Sequence, residues 1–510
     1  MSLTINGVGN STGNLLPDWF VNLIPPSQSL IPGVNTNILG IVGTATWGPT
    51  NAIGYGSTYA DFAAQYGDLQ ARKYDLGTAV QIAQQNGCSY FQFVRATDGT
   101  DVAATITFAA LTAGDATAIV AAINTGQSNV RGPSILATAS AATTTVTITS
   151  KWTGTFGNRC TLTVGAGTKA STTKVTISLP NNQTEIFDNI GTGSAVAATP
   201  TLTGGTDGAT TITSTVLLGS DSGTRTGMYA LRKSGCAVVM LADADDSTTY
   251  ATQTAFSMSE GLNIVLVGVA GDTISNAVTV KNTSGIDSLE AKLLFGDWCY
   301  WNDSQNQIPS RLVSPQAFWA GRRVSITPNQ AMLNRQLNGI IGTQRTAAGR
   351  QYSNAELLLL AQAGIDVITN PSLGGNFYSA RIGHNTSSNP LTRADEYTSN
   401  ANFIAQSIAA WVGSQIGSLQ TPQQREEAYA ALATFFTDYQ RNDGIGDVNN
   451  PGDPAFYIIL DESNNSNTSV GLGIENVDIK VKFFKAIEKM VVNIEAGFVV
   501  VLPSGNPQAL

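Results

Sequence analysis

The sequence predicts a multidomain α/β (α+β) protein. An α/β core carries an inserted, mostly β domain, and the chain ends in a C-terminal α+β domain with strand-exchanging terminal arms. Three observations carry this reading. Short continuous apolar runs at 38–43 (ILGIVG), 237–241 (AVVML) and 264–269 (IVLVGV) have the form of strands buried on both faces. Between 101 and 210 the composition shifts to Thr, Ala and Gly, with apolar residues recurring at period two. The two ends look built to pair with other chains. Residues 477–501 read as two β-strands with no further partner nearby in sequence, and residues 1–30 are rich in Gly, Asn, Ser and Pro without a Lys or Arg. Unpaired strand edges are a liability in a monomer and an asset in a polymer.

At 510 residues the chain has room for roughly three to four domains of about 150 residues. Charged residues make up 12%, about half the ordinary ~25%, and Gly, Thr, Ser, Ala and Asn take their place. The 27 basic and 36 acidic residues leave a net charge of −9. Without a clustered excess of Lys and Arg, direct nucleic-acid binding is not expected. The first basic residue is Arg72, so no secretory n-region precedes an apolar segment. The apolar runs at 264–270, 357–361 and 498–502 fall short of the ~18 residues that span a bilayer. The expectation is a protein made in a cytoplasm, without membrane insertion. Cys88, Cys160, Cys236 and Cys299 lie far apart with no CxxC, which predicts buried free thiols.

The elements follow in order. The strand at 38–43 is ended by Gly48-Pro49, a short helix is expected over 59–66, and a second opens on Asp75 as N-cap. That helix places Leu76, Val80 and Ala83 on one face and stops at Gly87, before a strand at 90–95 (YFQFVR). In the insertion, 143–150 turns Val146 and Ile148 one way and Thr145, Thr147 and Thr149 the other, and 161–164 and 174–179 repeat the pattern. Short helices are expected near 116–124 and 184–190. The strands at 237–241 and 264–269 flank a helix; a helix over 355–363 ends at Gly364, before a strand at 365–369. An amphipathic helix near 402–416 aligns Phe403, Ile404, Ile408, Trp411 and Val412. Thr421-Pro422-Gln423-Gln424 reads as a capping box with Pro at the first helical position. The helix it launches runs to about Arg441 with Tyr429, Leu432, Phe435 and Phe436 inward. A turn-rich loop over 442–453, a strand at 456–460 and a polar loop lead to the terminal strands. The implied boundaries are an N-terminal arm at 1–30, an α/β core at 31–100 and 211–398, a β-rich insertion at 101–210, a C-terminal α+β domain at 399–487 and a C-terminal arm at 488–510.

Candidate chemistry is sparse, and no cofactor is expected. His384 is the single histidine and no GxSxG elbow accompanies it, so a loop or interface role outweighs a catalytic one. Asp243, Asp245 and Asp246 follow the strand at 237–241, where carboxylates can hold Mg²⁺ beside a phosphate. Without a P-loop or a strand-linked GxGxxG, capping of the next helix is the plainer reading. Asp443, Asp447 and Asp453 do not have the spacing of an EF-hand loop. The clearest charge signal is Lys480, Lys482, Lys485 and Lys489, which follow seven acidic and no basic residues between 442 and 478. Along 478–484, Lys480 and Lys482 share a face with Asp478 and Phe484, while Ile479, Val481 and Phe483 take the other. Such a cluster is either a solvated face or an electrostatic contact that fixes register against an acidic partner or a neighbouring copy.

Several segments together resemble the tail sheath proteins of contractile-tailed bacteriophages and related contractile injection particles. They are Gly40-Ile41-Val42-Gly43-Thr44-Ala45 followed by Gly48-Pro49, then Asp61-Phe62, Tyr66-Gly67, the helix ending at Gly87 and the strand closing on Arg95. The last ~110 residues are similar too, with a Thr-Pro helix, a β-hairpin and the run Glu488-Lys489-Met490-Val491-Val492-Asn493-Ile494. The resemblance implies a non-enzymatic virion subunit, assembled in the host bacterial cytoplasm as stacked hexameric rings around a tail tube. Its metastable extended state contracts to drive the tube through the host envelope. The implied partners are other copies of the chain, the tube protein, and baseplate and terminator or neck proteins. Strand exchange would use Leu3 and Ile5 at one end and Met490, Val491, Val492, Ile494, Val499 and Val501 at the other. The lysine cluster would face the tube or a neighbour. The rival readings are another strand-exchanging shell protein and a metal-dependent α/β hydrolase built on Asp243 and Asp245.

Overall fold

The computed structural model describes residues 31–492 apart from 110–111, 128–130 and 194–197, together with two short strands, Leu3–Ile5 and Val21–Leu23. Its centre is a six-stranded sheet in the order Ala291–Leu294, Asn263–Val267, Val238–Leu241, Ile38–Gly43, Tyr90–Arg95 and Ile53–Gly56. The first five strands are parallel and the last is an antiparallel edge. Their unbroken apolar sequences follow from burial on both faces. On one face, helices Tyr59–Tyr66, Leu76–Gln85 and Gln316–Val324 cover a core that includes Ile41, Phe62, Phe93, Trp301 and Trp319. On the other, Tyr250–Glu260, Ile274–Ser284 and Asn354–Ala363 cover one that includes Val42, Val239, Leu241, Ile264 and Leu266.

Local signals explain the helix starts. Thr58 and Asp61 form a reciprocal capping box, and Asp75 accepts from Thr78 N at 2.8 Å. The helix pair around Gly321 packs so closely that a Cβ there would lie 2.5 Å from the Ala83 backbone, which only glycine permits. All four cysteines are buried free thiols. The strand expected at 365–369 is split: Asp366 bridges the edge at Leu294, while Ile368–Thr369 pairs with Ser379–Ala380.

The segment 101–210 forms two three-stranded antiparallel sheets around its own core. One sheet joins Ala103–Ala109, Thr145–Thr153 and Ala137–Ala142, and the other joins Thr161–Ala166, Thr173–Ser178 and Thr184–Ile190. Val146 and Ile148 point inward as expected. The helix expected near 116–124 runs from Ala113 to Thr125. The helix expected at 184–190 is instead a strand. Glu185 there points inward beside Phe187, and its charge is met by Arg131 Nη2 at 2.6 Å, so an acidic residue interrupts the apolar alternation that would have revealed it. The segment joins the sheet through Arg95, which is wholly buried and donates to Gly48 O and Thr153 O at 2.8 Å and to Asp207 O at 3.1 Å. Trp47, from the loop after Ile38–Gly43, is buried in the inserted core beside Phe156.

The C-terminal region packs helices Asp395–Gln415 and Pro422–Arg441 around Ile404, Trp411, Leu432, Phe435 and Phe436. The first helix begins seven residues before the expected 402. Thr421 caps the second by accepting from Gln424 N at 3.1 Å, but the reciprocal half of the box is replaced by a bond from the Gln424 side chain to Gln415. Tyr429 and Val412, expected inward, are exposed, because the apolar stripe is narrower than the sequence suggests. The strand expected across 477–484 is shorter, Asp478–Val481, and has a partner within the chain: it pairs antiparallel with Phe456–Ile459. Residues 482–492 form no strand, and Ile494, Val499 and Val501 lie outside the described residues. At the other end, Leu3–Ile5 pairs in parallel with Val21–Leu23.

Candidate assembly interface

The sheet's strand order reverses between Ile38–Gly43 and Val238–Leu241, and in open α/β sheets ligands bind beyond the strand ends at such a point. Here the place is filled by the protein itself. Asp243 is buried and accepts from Tyr74 N at 3.2 Å and Ser314 N at 3.3 Å. Burial raises its carboxyl above the usual range, against the pull of these bonds. Asp245 is bound by Lys73 Nζ at 2.7 Å, and Asp246 caps the next turn by accepting from Thr248 N at 3.0 Å. The three aspartates are thus committed to structure. Asp447 is bound by Lys482 and by Asn449 N at 3.0 Å, which leaves no cation cradle with Asp443 and Asp453. Among the described residues no group of three or more His, Cys, Asp or Glu could hold a metal, and no helix is long and apolar enough to cross a membrane.

What stands open is the C-terminal ribbon. Tyr457 pairs with Lys480 and Ile459 with Asp478, and Lys482 N donates to Ala455 O at 2.8 Å. Backbone groups alternate in direction along an antiparallel strand. Residues 478, 480 and 482 therefore address the neighbouring strand, and 479, 481 and 483 address the outer edge, which pairs with no strand among the described residues. That edge opens on a groove of about 550 Å³ whose lining includes Ile479, Val481 and Phe483 on one side and Tyr397, Ala401 and Ile404 of the Asp395–Gln415 helix on the other. A strand edge beside an apolar wall is the shape that an added strand fills. Past it, Ile487, Met490, Val491 and Val492 are exposed, Val491 to 81%. Large apolar side chains in series on a surface mark an interaction site.

The lysines divide. Lys480 and Lys489 are exposed and make no ion pair among the described residues, while Lys482 binds Asp447 and Lys485 lies 3.0 Å from Glu488. The hydrogen bond from Lys482 is the main cause that holds the Asp447 carboxyl down to about 2. The alternation expected along 478–484 holds as far as 483: 478, 480 and 482 are exposed, and 479, 481 and 483 are half-buried; Phe484, expected on the lysine face, is half-buried too, past the end of the strand.

Sequence reasoning missed the anchor of the chain end. Glu488 lies 3.7 Å from His384 Nε2 and 3.8 Å from Arg393 Nη2. Burial raises the Glu488 carboxyl, but Lys485, His384 and Arg393 outweigh it and hold it below the usual range. His384 is pushed below the ordinary imidazole value by burial, then by Arg393 and Lys292. His384 and Arg393 stand 104 and 95 residues upstream and Lys485 three, and only the last spacing is visible in a sequence.

No protein-family model and no curated protein matches the chain. Solved structures do. A sheath tail protein from Listeria innocua superposes with a TM-score of 0.56 at 13% identity, covering 85% of this chain and 90% of that one. The contracted sheath of an extracellular contractile injection system (PVC) gives 0.54 at 10%, covering 95% and 98%. The contracted helical sheath of the anti-feeding prophage gives 0.55 at 10%, covering 94% and 99%. The chain has the fold of contractile tail sheath proteins.

Proposed function

We propose that this chain is the structural subunit of a contractile sheath, in a phage tail or a tail-like injection particle. The observation that carries the proposal is that the fold likeness covers 95% of this chain and 98% of the contractile injection system sheath, and 94% and 99% for the anti-feeding prophage sheath. In this reading, subunits stack as hexameric rings around a tail tube, with baseplate and terminator or neck proteins at the ends. Arms from neighbouring copies complete the ribbon: 488–510 of one subunit, and the first ~23 residues of another, add strands to sheets that are not their own. Leu3, Ile5, Met490, Val491, Val492, Ile494, Val499 and Val501 are the proposed exchange residues. Each added strand contributes main-chain hydrogen bonds and buried apolar area.

The segment 101–210 faces outward and the C-terminal domain inward, where Lys480 and Lys489, the two lysines of the 480–489 cluster that make no ion pair among the described residues, meet the tube or a neighbour. Exposed ion pairs contribute ~0–1 kcal/mol each, weak enough individually to be released during contraction and collectively enough to set register. No turnover of another molecule is assigned to the chain, since the free energy of contraction is stored in the metastable lattice at assembly. Electron microscopy of the purified protein tests the proposal. Hollow striated tubes are expected; closed shells, flat sheets or an unchanging monomer at high concentration would overturn it.

A further inference from the structure

One buried cluster is used by nothing described so far. Lys292, on the edge strand Ala291–Leu294, has its Nζ 2.6 Å from Asp366 Oδ2, 2.6 Å from Asp395 Oδ2 and 2.9 Å from His384 O. The three side chains are 2%, 0% and 3% exposed, and the Trp319 ring lies under the ammonium at 5.1 Å. Buried Arg323 and Glu396 also act on Asp395, so two cations and three carboxylates stand together out of water, an arrangement whose desolvation cost is hard to repay by pairing alone.

The two carboxylates are held differently. Asp366 Oδ1 accepts from Val367 N at 2.8 Å and Ile382 N at 2.9 Å, and its Oδ2 accepts from Gly383 N at 2.9 Å. Such a cradle favours the ionised form. Burial alone would raise this carboxyl, but Lys292 and the amides outweigh it and hold it below the usual range. Asp395, at the first turn of the Asp395–Gln415 helix, takes its hydrogen bond from Lys292, and burial pushes its carboxyl up to about 6 against the pull of that lysine. One amine therefore sits between a carboxylate fixed in its ionised form and a second carboxyl raised by burial, in a site closed to water; the two acids together outweigh burial and hold the Lys292 ammonium above the ordinary lysine range, so its neutral form is a minor state.

We propose that Lys292 and Asp395 condense to an intramolecular amide, with Asp366 as the proton carrier. The ammonium first passes a proton to the Asp395 carboxylate, which leaves a neutral amine and a neutral acid. Nζ attacks Asp395 Cγ and the C–N bond forms. Asp366 takes the second N–H proton and delivers it to the departing hydroxyl; the C–O bond breaks and water leaves. Asp366 ends ionised, as it began, and no oxidant or co-reactant is consumed. Closed packing supplies the proximity such a reaction needs, and loss of water from a dry core disfavours its reversal. The bond would tie the edge of the central sheet to the helix that walls the C-terminal groove, across 103 residues of sequence. It does not rest on the sheath reading, and a failed tube assay leaves it standing.

Intact-mass spectrometry under denaturing conditions tests it, on the purified chain and on its assembled form. The expected mass is lower than that of the sequence by one water, with Lys292 and Asp395 recovered in one branched peptide after proteolysis. The full sequence mass in both samples, with the two residues in separate peptides, overturns the proposal. So does a water loss mapped to any other pair. Lys292→Arg, which keeps the charge but not the nucleophile, should restore the full mass in a folded protein. Asp366→Asn should do the same if Asp366 carries the proton; an unchanged water loss in that variant would remove its assigned part.

Discussion

The inserted segment at 101–210 and the C-terminal ribbon are both antiparallel β, yet they treat their edges in opposite ways. In the insertion, bridges from Thr203 and Thr206 run beside Ala103–Ala109 and from Ala198 and Thr201 beside Thr161–Ala166, so one edge of each sheet is covered by the same chain. Its outward faces carry threonine, and Thr107 and Thr147 hydrogen-bond across strands at 2.8 Å. The ribbon has two strands, an apolar groove on one side and a run of exposed Ile487, Met490, Val491 and Val492 after it. Two strands alone are marginal in water. The difference teaches where to look for assembly: a self-satisfied β unit tolerates solvent, while an unfinished one needs another chain.

The sharpest break of this comparison is deletion of 489–510. It should abolish polymerisation while circular dichroism and the melting transition of the monomer stay unchanged, because the described residues of this stretch, 489–492, are exposed and belong to none of the four buried clusters. Normal tubes from that truncation would refute the role given to the arm. Replacing 101–206 with a Gly/Ser linker should leave tubes intact by microscopy, at a lower melting temperature because Trp47 loses its cover.

Smaller effects sharpen the account within each region. Phe436→Ala, at a wholly buried site in the C-terminal core, should cost ~3–5 kcal/mol in denaturant unfolding. Arg95→Met should cost about 2–3 kcal/mol, since Gly48 O, Thr153 O and Asp207 O lose their donor. Lys480→Glu should change monomer stability by less than ~1 kcal/mol yet weaken attachment to a tube in a salt-dependent way; unchanged co-sedimentation with tube protein would make Lys480 a solvated residue.

The smallest effect is a pH dependence. The folded Asp447 carboxyl is depressed to about 2 by Lys482, against ~3.9 unfolded. Its contribution is therefore present above ~4 and lost as pH falls through about 2. Near-UV circular dichroism over this window should differ between the wild type and Asp447→Asn.

Where a signal is local, the sequence was legible. The helix at 59–66, the Asp75 cap and the strand at 90–95 appear where capping residues and apolar runs put them. The strand at 184–190 was hidden because inward Glu185 finds its counter-charge at Arg131, 54 residues away. Tyr429 misled because a helical stripe does not state its own width. The pairing of Phe456–Ile459 with Asp478–Val481 was missed because a polar loop with its own short helix separates them. Lys292 was invisible as a site, since its partners stand 74 and 103 residues downstream. For the interface, the lysine run and the apolar tail were readable, but the groove requires the fold.

The central claim is that the open ribbon is completed by another copy of the chain. The most direct measurement assembles equal amounts of light and heavy-isotope protein and joins neighbouring amines with a short cross-linker, reading the peptides that contain Lys480 and Lys489. The account predicts abundant mixed-isotope pairs between these two lysines in the polymer and none in the monomer. Pairs of uniform isotope only, in polymer and monomer alike, would place the arm on its own subunit and contradict it.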